Sequence, residues 1–595
     1  MAGNTTHAAA ESNLDIQMSA RATNNLTTTE SPIVAGEAAK ISFNITGKYD
    51  DGAVSGLHPG AWIRPRLAGQ PDCKDAVRNY LTVGPNSSRD IDLNSYSFIT
   101  LNEDNSVGVM DPRLNLASAN LLALRKLESP VTDWHLNQTT GEIFLSQPKS
   151  RQLGIVSALN GNVLATIALP VAPKKIVAID NGNLLWIAGQ QALMIVDTDT
   201  RQLLQTVPLK SNAILLAFSS ERERLWAYSP DDGELIAVDT VSLVTLWRRK
   251  VPRQLSDIAY SAHADRLYFG SHDQQTITTL YPGRDTEITT VALQGVPEKI
   301  HITPDGHWLI ALDTAQKQLI IIDTATNQVI HYLLFEHEFD QLVFSEQFAY
   351  LHHTTSARVS LINLNSLSDS EPPALIEVSF GVTPPGKQSA DLPMIVPLPE
   401  GGAVIVNNPA DKTLFLYMED GMLAPTNAFK VYTAAPLAVL IHDKSFAETR
   451  PGQYETVTMV PRPGDYELVF YLSSPLTVAC MPLQVEGSGT AVAEVFKSSV
   501  DAIKLAPSSY KAGEPAEVKI RLITNSYVAN TDVQMLFFKP GSNWQRRISA
   551  RANHKMEVSA PITFPEQGQY LLGIQSDSLK FGLKQNTMQT LEVTR

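Results

Sequence analysis

Residues 296–335 read VPEKIHITPDGHWLIALDTAQKQLIIIDTATNQVIHYLLF. Four apolar, β-branched segments are present: KIHIT, HWLIAL, QLIIID and QVIHYLL. The turn sequences PDG and TATN punctuate them. Runs of this length, bounded by turn residues, read as β-strands. Working outward, the second strand of this unit recurs at 97–101, 143–145, 185–187, 225–227, 267–269, 308–310, 349–351 and 403–405. The third strand often ends in aspartate, as at Asp111, Asp197, Asp239 and Asp323. A carboxylate there is placed to accept hydrogen bonds from the next turn.

Four strands per unit of roughly 40 residues predict a β-propeller blade. The array opens on a second-type strand near Ser97 and ends on an extra first-type strand, Pro436 to Ile441. That strand would complete the first blade and close the ring, removing exposed edges. Eight blades are expected over 97–443. Seven is the alternative, because the stretch from Ser366 to Pro393 is irregular.

The segments VDTDTRQLLQTVPL and IIDTATNQVIHYLLF resemble the YVTN-type propeller repeats of bacterial extracytoplasmic proteins. The same repeat is similar to the cytochrome d1-type propeller of nitrite reductase and to the heavy chain of methylamine dehydrogenase. NNPADKTLFLYMEDGMLAPTNAF, from Asn407 to Phe429, resembles a narrower group described as cytochrome d1-domain-like. The resemblance spans roughly Pro32 to Val485. It implies an all-β fold and leaves activity open, because fold does not fix function.

The flanks read differently. Residues 497–595 hold about seven short alternating segments with frequent turn signals, which predicts an immunoglobulin-like sandwich. Before the propeller, AGEAAKI at 35–41 matches AGEPAEV at 512–518. After it, PGDYEL at 463–468 matches QGQYLL at 567–572. The propeller is therefore expected to interrupt one sandwich, built from 31–96 plus 444–486, with a second sandwich behind it. Insertion at a loop tip is tolerated when the inserted unit's ends lie together. Residues 1–30, rich in Asn, Thr, Ala and Ser, are expected to form a disordered tail. They contain no apolar core of a signal peptide, so a leader is expected to be missing from this sequence.

Composition bounds the function. The chain has 595 residues, 43% hydrophobic and 18% charged, with a net charge of -14. That argues against a nucleic-acid binder, which would need a basic face. No apolar run is long enough to span a bilayer. With two cysteines, a Cys-based zinc site is excluded, and the absence of C-x-x-C-H excludes covalent c-type haem. Walker, G-x-S-x-G and H-E-x-x-H sequences are absent. Acidic residues are scattered over turns, which predicts solvated positions.

A few residues stand out. His135 and His301 each follow a first-strand core residue, Trp134 and Ile300. The positions judged equivalent are Val177, Leu215, Ala259, Val343, Val396 and Leu440. In an eight-bladed ring the two histidines would face each other across the channel, too far apart for one bare metal ion. No cofactor is expected, with non-covalent haem between them as the alternative. The doublet His352-His353 cannot chelate one ion, because neighbours on a strand point to opposite sides. Trp62 is expected in a sandwich core, with oxidative modification as the rival. Tyr417, Met418 and Met422 form a Met-rich excursion suited to partner contact, or to filling the groove between the last blade and the first. Cys73 and Cys480 fall in the two halves of the split sandwich, and a disulfide between them is expected. The bond would mark a periplasmic, cell-surface or secreted protein. The expected function is binding or scaffolding of a protein partner, a cytochrome or other redox protein among the candidates. The alternative is a redox-associated propeller beside a catalytic partner.

Overall fold

The computed structural model describes residues 6–7, 13–23, 32–66, 72–83, 90–112, 121–179, 182–212, 214–271, 274–282, 288–384, 386, 392–420, 423–431, 434–487, 501–506, 509–523, 532–539, 544–576 and 589–594. Among them, eight four-stranded antiparallel sheets follow one another, the organisation of a β-propeller. Sheet 1 holds Pro436–Asp443, Tyr96–Asn102, Ser106–Met110 and Leu121–Lys126, in that spatial order. Its first strand is thus the last of the array, paired from Pro436 opposite Asn102 to Asp443 opposite Tyr96. Sheets 2 to 8 begin at Asp133–Asn137, Pro173–Ile179, Leu215–Ser219, Leu255–Ser261, Lys299–Ile302, Phe339–Phe344 and Ile395–Pro397.

The repeat owes its regularity to a few local devices. Second strands are buried on both faces, and their centres carry Trp186, Trp226, Tyr268 and Tyr350, all fully buried. The third-strand aspartates cap the next turn as expected: Asp197 accepts from the Thr200 amide at 2.8 Å and Asp239 from the Ser242 amide at 2.8 Å. In the PDG turn Gly306 has φ +78°, which a side chain would strain. The third and fourth strands slip register by one residue at Ile155/Val156, Ile195/Val196, Ala237/Val238 and Ile321/Ile322. A bulge repeated at one place increases the local twist.

Segments from both sides of the array build a double sheet. One layer contains Leu14–Ala22, Ala38–Gly47 and Gln453–Met459; the other contains Gly60–Pro65, Gly464–Leu472 and Thr477–Glu486. Ile41, Phe43, Ile63, Leu468, Phe470 and Met481 share its core. Here the expected disordered tail is corrected. Leu14–Ala22 is a strand paired along its whole length with Ala39 to Gly47. Its sequence, LDIQMSARA, alternates apolar and polar residues, so Leu14, Ile16 and Met18 enter the core.

An 11-residue helix, Cys73–Val83, interrupts the strands. Asp72 accepts the Asp75 amide at 2.8 Å at its start. Ala76, Val77 and Tyr80 lie on one side and pack around Trp62 and Val469. A second double sheet occupies 501–594, with Val518, Ile520, Phe537, Phe564 and Tyr570 in its core. No described helix is long and apolar enough to cross a membrane.

Candidate functional site

First strands of sheets 2 and 3, 4 and 5, 5 and 6, 7 and 8, and 8 and 1 approach one another, so they line the inner side of the propeller. Strand register defines one rung of that ring. His135 lies opposite Phe144, Val177 opposite Trp186, Ala217 opposite Trp226 and Ala259 opposite Tyr268. His301 lies opposite Ile310, Val343 opposite Tyr350, Val396 opposite Ile405 and Leu440 opposite Ile99. The sheet 4 member is Ala217, not Leu215; the first strand of that sheet is displaced by two residues from its reading in sequence.

On this rung two histidines sit among six apolar residues, in sheets 2 and 6. Burial pulls both down to a pKa of about 4, so both are neutral imidazoles near pH 7. Nε2 of His301 is buried without a hydrogen-bond partner. Its ring meets Phe344 of sheet 7 edge-on at 6.4 Å. No three His, Cys, Asp or Glu side chains among the described residues are grouped to hold a metal. The doublet is divided as its strand position requires. His352 bonds Asp340 at 2.8 Å, and His353 bonds the Ser360 hydroxyl at 2.7 Å.

In sheets 2, 5, 6 and 7 the residue two before this rung is polar and latches its sheet to the next. Asp133 accepts the Ile176 amide at 2.8 Å and Asp257 the Ile300 amide at 3.0 Å. Gln341 accepts the Met394 amide at 2.9 Å and donates to the Leu392 carbonyl at 2.7 Å. Lys299 donates to the Asp340 carbonyl at 2.7 Å. Desolvation raises the pKa of Asp133 and Asp257, and their hydrogen bonds and nearby lysines oppose it. These two carboxylates are therefore latches rather than solvated turn residues. Their equal offset from the rung residues His135 and Ala259 was the signal.

Asn407 and Asn408 serve the ring seam. Asn407 donates to the Pro436 carbonyl of sheet 1 at 2.8 Å. Asn408 donates to the Phe380 carbonyl at 2.6 Å and to the Val382 carbonyl at 3.0 Å. Tyr417 is only 3% exposed, packed edge-on to Tyr350 and Phe380 between sheets 7 and 8. It is a packing residue, which corrects its reading as a partner contact; the groove it fills lies between sheets 7 and 8 rather than between 8 and 1. Met418 is exposed, and Met422 lies outside the described residues.

The split double sheet joins the ring at the end where first strands turn into second strands. The chain leaves and re-enters the propeller there, at Tyr96 and Asp443. Gln138, in the turn of sheet 2, donates to the Ile441 carbonyl at 2.7 Å, and Lys444 pairs with Asp111 at 3.2 Å. Asn160 reaches Met459 at 3.3 Å. His442 lies at this joint, fully buried, with neither ring nitrogen hydrogen-bonded. The C-terminal double sheet contributes Leu536, Phe538 and Leu571 to a cluster with Phe98, Met110 and Phe429 at the seam of sheets 1 and 8. The strand Asp532–Phe538 turns Val533, Met535 and Phe537 inward and Leu536 and Phe538 outward. Its apolar run MLFF, which breaks alternation, was the sequence signal for this second contact.

Cys73 and Cys480 are disulfide-bonded, with Cα atoms 5.8 Å apart. The bond ties the helix to the strand Thr477–Glu486. Beside it Trp62, 3% exposed, stacks on Tyr80 at 4.3 Å with the rings 7° from parallel. Tyr80 donates to Asp92 at 2.7 Å, and burial with that carboxylate raises its pKa. At Gly60 a Cβ would fall 2.3 Å from the Tyr471 ring, so only glycine fits against this aromatic group.

No family model matches the chain, and no curated protein matches it. Solved propeller-containing structures do. Dihydro-haem d1 dehydrogenase NirN, in complex with DHE, matches at 11% identity and TM-score 0.48, over 64% of this chain and 79% of that one. AztD of Citrobacter koseri matches at 11% identity and TM-score 0.44, over 58% and 98%. Hydrazine synthase of Kuenenia stuttgartiensis matches at 14% identity and TM-score 0.37, over 53% and 96%. None reaches a TM-score of 0.5, and the reading that follows rests on this chain's own residues.

Proposed function

We propose that this protein is an extracytoplasmic binding or scaffold protein. In this reading its eight sheets are the blades of one closed ring. The ring is inserted into a discontinuous immunoglobulin-like sandwich, 31–96 plus 444–486 with the strand Leu14–Ala22 added to it, and a second such sandwich spans 497–595. The propeller end opposite the split double sheet is the recognition face, and its occupant is a protein, with redox proteins such as cytochromes among the candidates. The observation that carries the reading is the attachment of the split double sheet at one end of the ring. The other end is built of second-to-third strand turns and fourth-to-first strand loops, on a rigid scaffold suited to recognition. The disulfide supports the compartment.

Hydrogen exchange on the intact protein with a partner fraction from its host tests this. Protection is expected in the loops at 148–151, 209–212 and 251–254. Protection confined to 509–594 would overturn it. A second reading, non-covalent haem in the channel, is favoured by one observation: the unpartnered Nε2 of neutral His301. His301 and His135 would hold the iron, which would supply redox chemistry. A Soret band in protein from the native host, lost in His301→Ala, would establish it; its absence there would remove it.

A further inference from the structure

The recognition face is electrically divided. Sheets 2 to 5 present Lys149, Arg151, Lys174, Lys175, Lys210 and Arg253 there, all exposed. The backbone links these loops into one arc. Leu169 donates to the Arg151 carbonyl at 2.9 Å, joining the turn of sheet 2 to the loop that leads to Lys174. Lys174 reaches the Asn212 carbonyl at 2.7 Å, in the loop carrying Lys210. Gln254, next to Arg253, donates to the Pro230 carbonyl at 3.0 Å. Most carboxylates inside the arc are engaged within the protein, while Asp231 and Glu128 stay exposed. Asp231 accepts the Ser211 hydroxyl at 2.8 Å, Asp232 pairs with Lys250 at 3.0 Å, and Asp133 and Asp257 are the latches described above. Lys175 stands 3.8 Å from Asp133 and remains exposed.

We propose that this cationic arc docks the acidic surface of a protein partner. The inference rests on the binding reading above and names the chemistry of the occupant. Lys149, Arg151, Lys174, Lys210 and Arg253, with Lys175 shared with Asp133, form on a chain of net charge -14 a local positive field that steers an anionic surface into place. The rest of the same face favours a protein over a uniform polyanion or an anionic membrane. Glu103, Asp104, Glu298 and Glu336 lie on its other half, in the loops of sheets 1, 5 and 6. A polyanion laid across the ring would meet these carboxylates, whereas a protein of mixed charge can match both halves.

The test is fluorescence anisotropy of a labelled Glu- and Asp-rich peptide with the full chain. Sulfated heparin and phosphatidylglycerol vesicles are the comparison probes. The peptide is expected to bind, and to weaken steeply toward physiological salt, where the Debye length is about 8 Å. Lys149→Glu/Lys210→Glu, which removes no side-chain bond to a described residue, should weaken it at least about tenfold, as loss of charge complementarity implies. Lys317→Glu, on the other half, should leave it unchanged. Equal binding by the arc variant, or no binding by the wild type, would overturn the arc. Tighter binding of heparin or vesicles than of peptide would overturn the protein assignment. If exchange protection by the host fraction persists while the peptide fails, only this inference falls and the recognition face stands.

Discussion

The split double sheet is assembled from segments on either side of the propeller, whereas the C-terminal one is continuous in sequence. The first meets the ring through its two chain crossings and is closed by a covalent bond between its halves. The second is held to the ring by side chains, with Leu536, Phe538 and Leu571 in the seam cluster. The difference teaches where each unit's order comes from. A discontinuous unit must have its ends brought together, and sheet 1 does so by pairing Asp443 with Tyr96. The continuous unit needs no such help, and its attachment relies on apolar burial.

The largest expected effect tests the covalent half of this contrast. Cys480→Ser should destabilise the split double sheet by about 4 kcal/mol, within the usual range for losing a native disulfide. While the propeller stays folded, the relevant loop is far shorter than the 407-residue separation, because the ring has already joined its ends. Exchange should therefore rise in Gly464–Leu472 and stay constant in Asp532–Phe538. Equal rises in both would mean that the two units unfold as one.

The apolar half comes next. Phe538 is 1% exposed, and Phe538→Ala should cost about 3 kcal/mol through lost transfer energy and the cavity left behind. Exchange should increase at Asn427–Lys430 and Tyr96–Asn102, the strands bearing Phe429 and Phe98. Limited proteolysis should release the C-terminal unit sooner. Unaltered proteolysis with a weakened 501–594 core would show that Phe538 serves its own sheet alone.

The same contrast explains what could be read from the sequence. The four-strand repeat, the completing strand Pro436–Asp443 and the cysteine pair were legible, because each recurs or is unique in the chain. The strand Leu14–Ala22 was hidden by the composition around it, although its alternation was present. The helix Cys73–Val83 was missed because its apolar face is short and rests on Trp62. Asp133 and Asp257 looked like ordinary acidic residues, since the amides they accept belong to the next sheet. Tyr417 read as a contact residue because a Met-rich run says nothing of which side chain turns inward.

Acid should separate the units less strongly. Burial pulls His135, His301, His353 and His442 down to a pKa of about 4. Unfolded, they titrate near the ordinary histidine value of about 6.5. Their neutral forms thus favour the fold above that pH, and the benefit is lost as pH falls toward 4. The raised carboxylates Asp133 and Asp257 work in the opposite sense at lower pH. None of these four histidines lies in the C-terminal unit, so its denaturation midpoint should move less than the propeller's between pH 7 and 5. His442→Leu should remove on the order of 2 kcal/mol of the propeller's acid sensitivity. An unchanged slope would place the sensitivity elsewhere.

The smallest effect concerns the two tryptophans of the flanking units. Trp62 lies flat on Tyr80 beneath the disulfide, whereas Trp544 meets Tyr570 edge-on at 5.1 Å. A phenyl ring can keep most of the burial at either place and lose part of the ring-on-ring contact. Trp62→Phe should therefore cost about 1 kcal/mol, the scale of an aromatic pair beyond its area. The buried face of Trp62 also bears on its chemistry: 3% exposed and covered by Tyr80, the ring packs under the helix and not, as expected, in the core between the two layers. Intact mass of the native protein should show an unmodified tryptophan, and Trp62→Phe should retain partner binding. An oxidised Trp62 peptide, or loss of binding with the fold intact, would turn this packing residue into a functional one and break its parallel with Trp544.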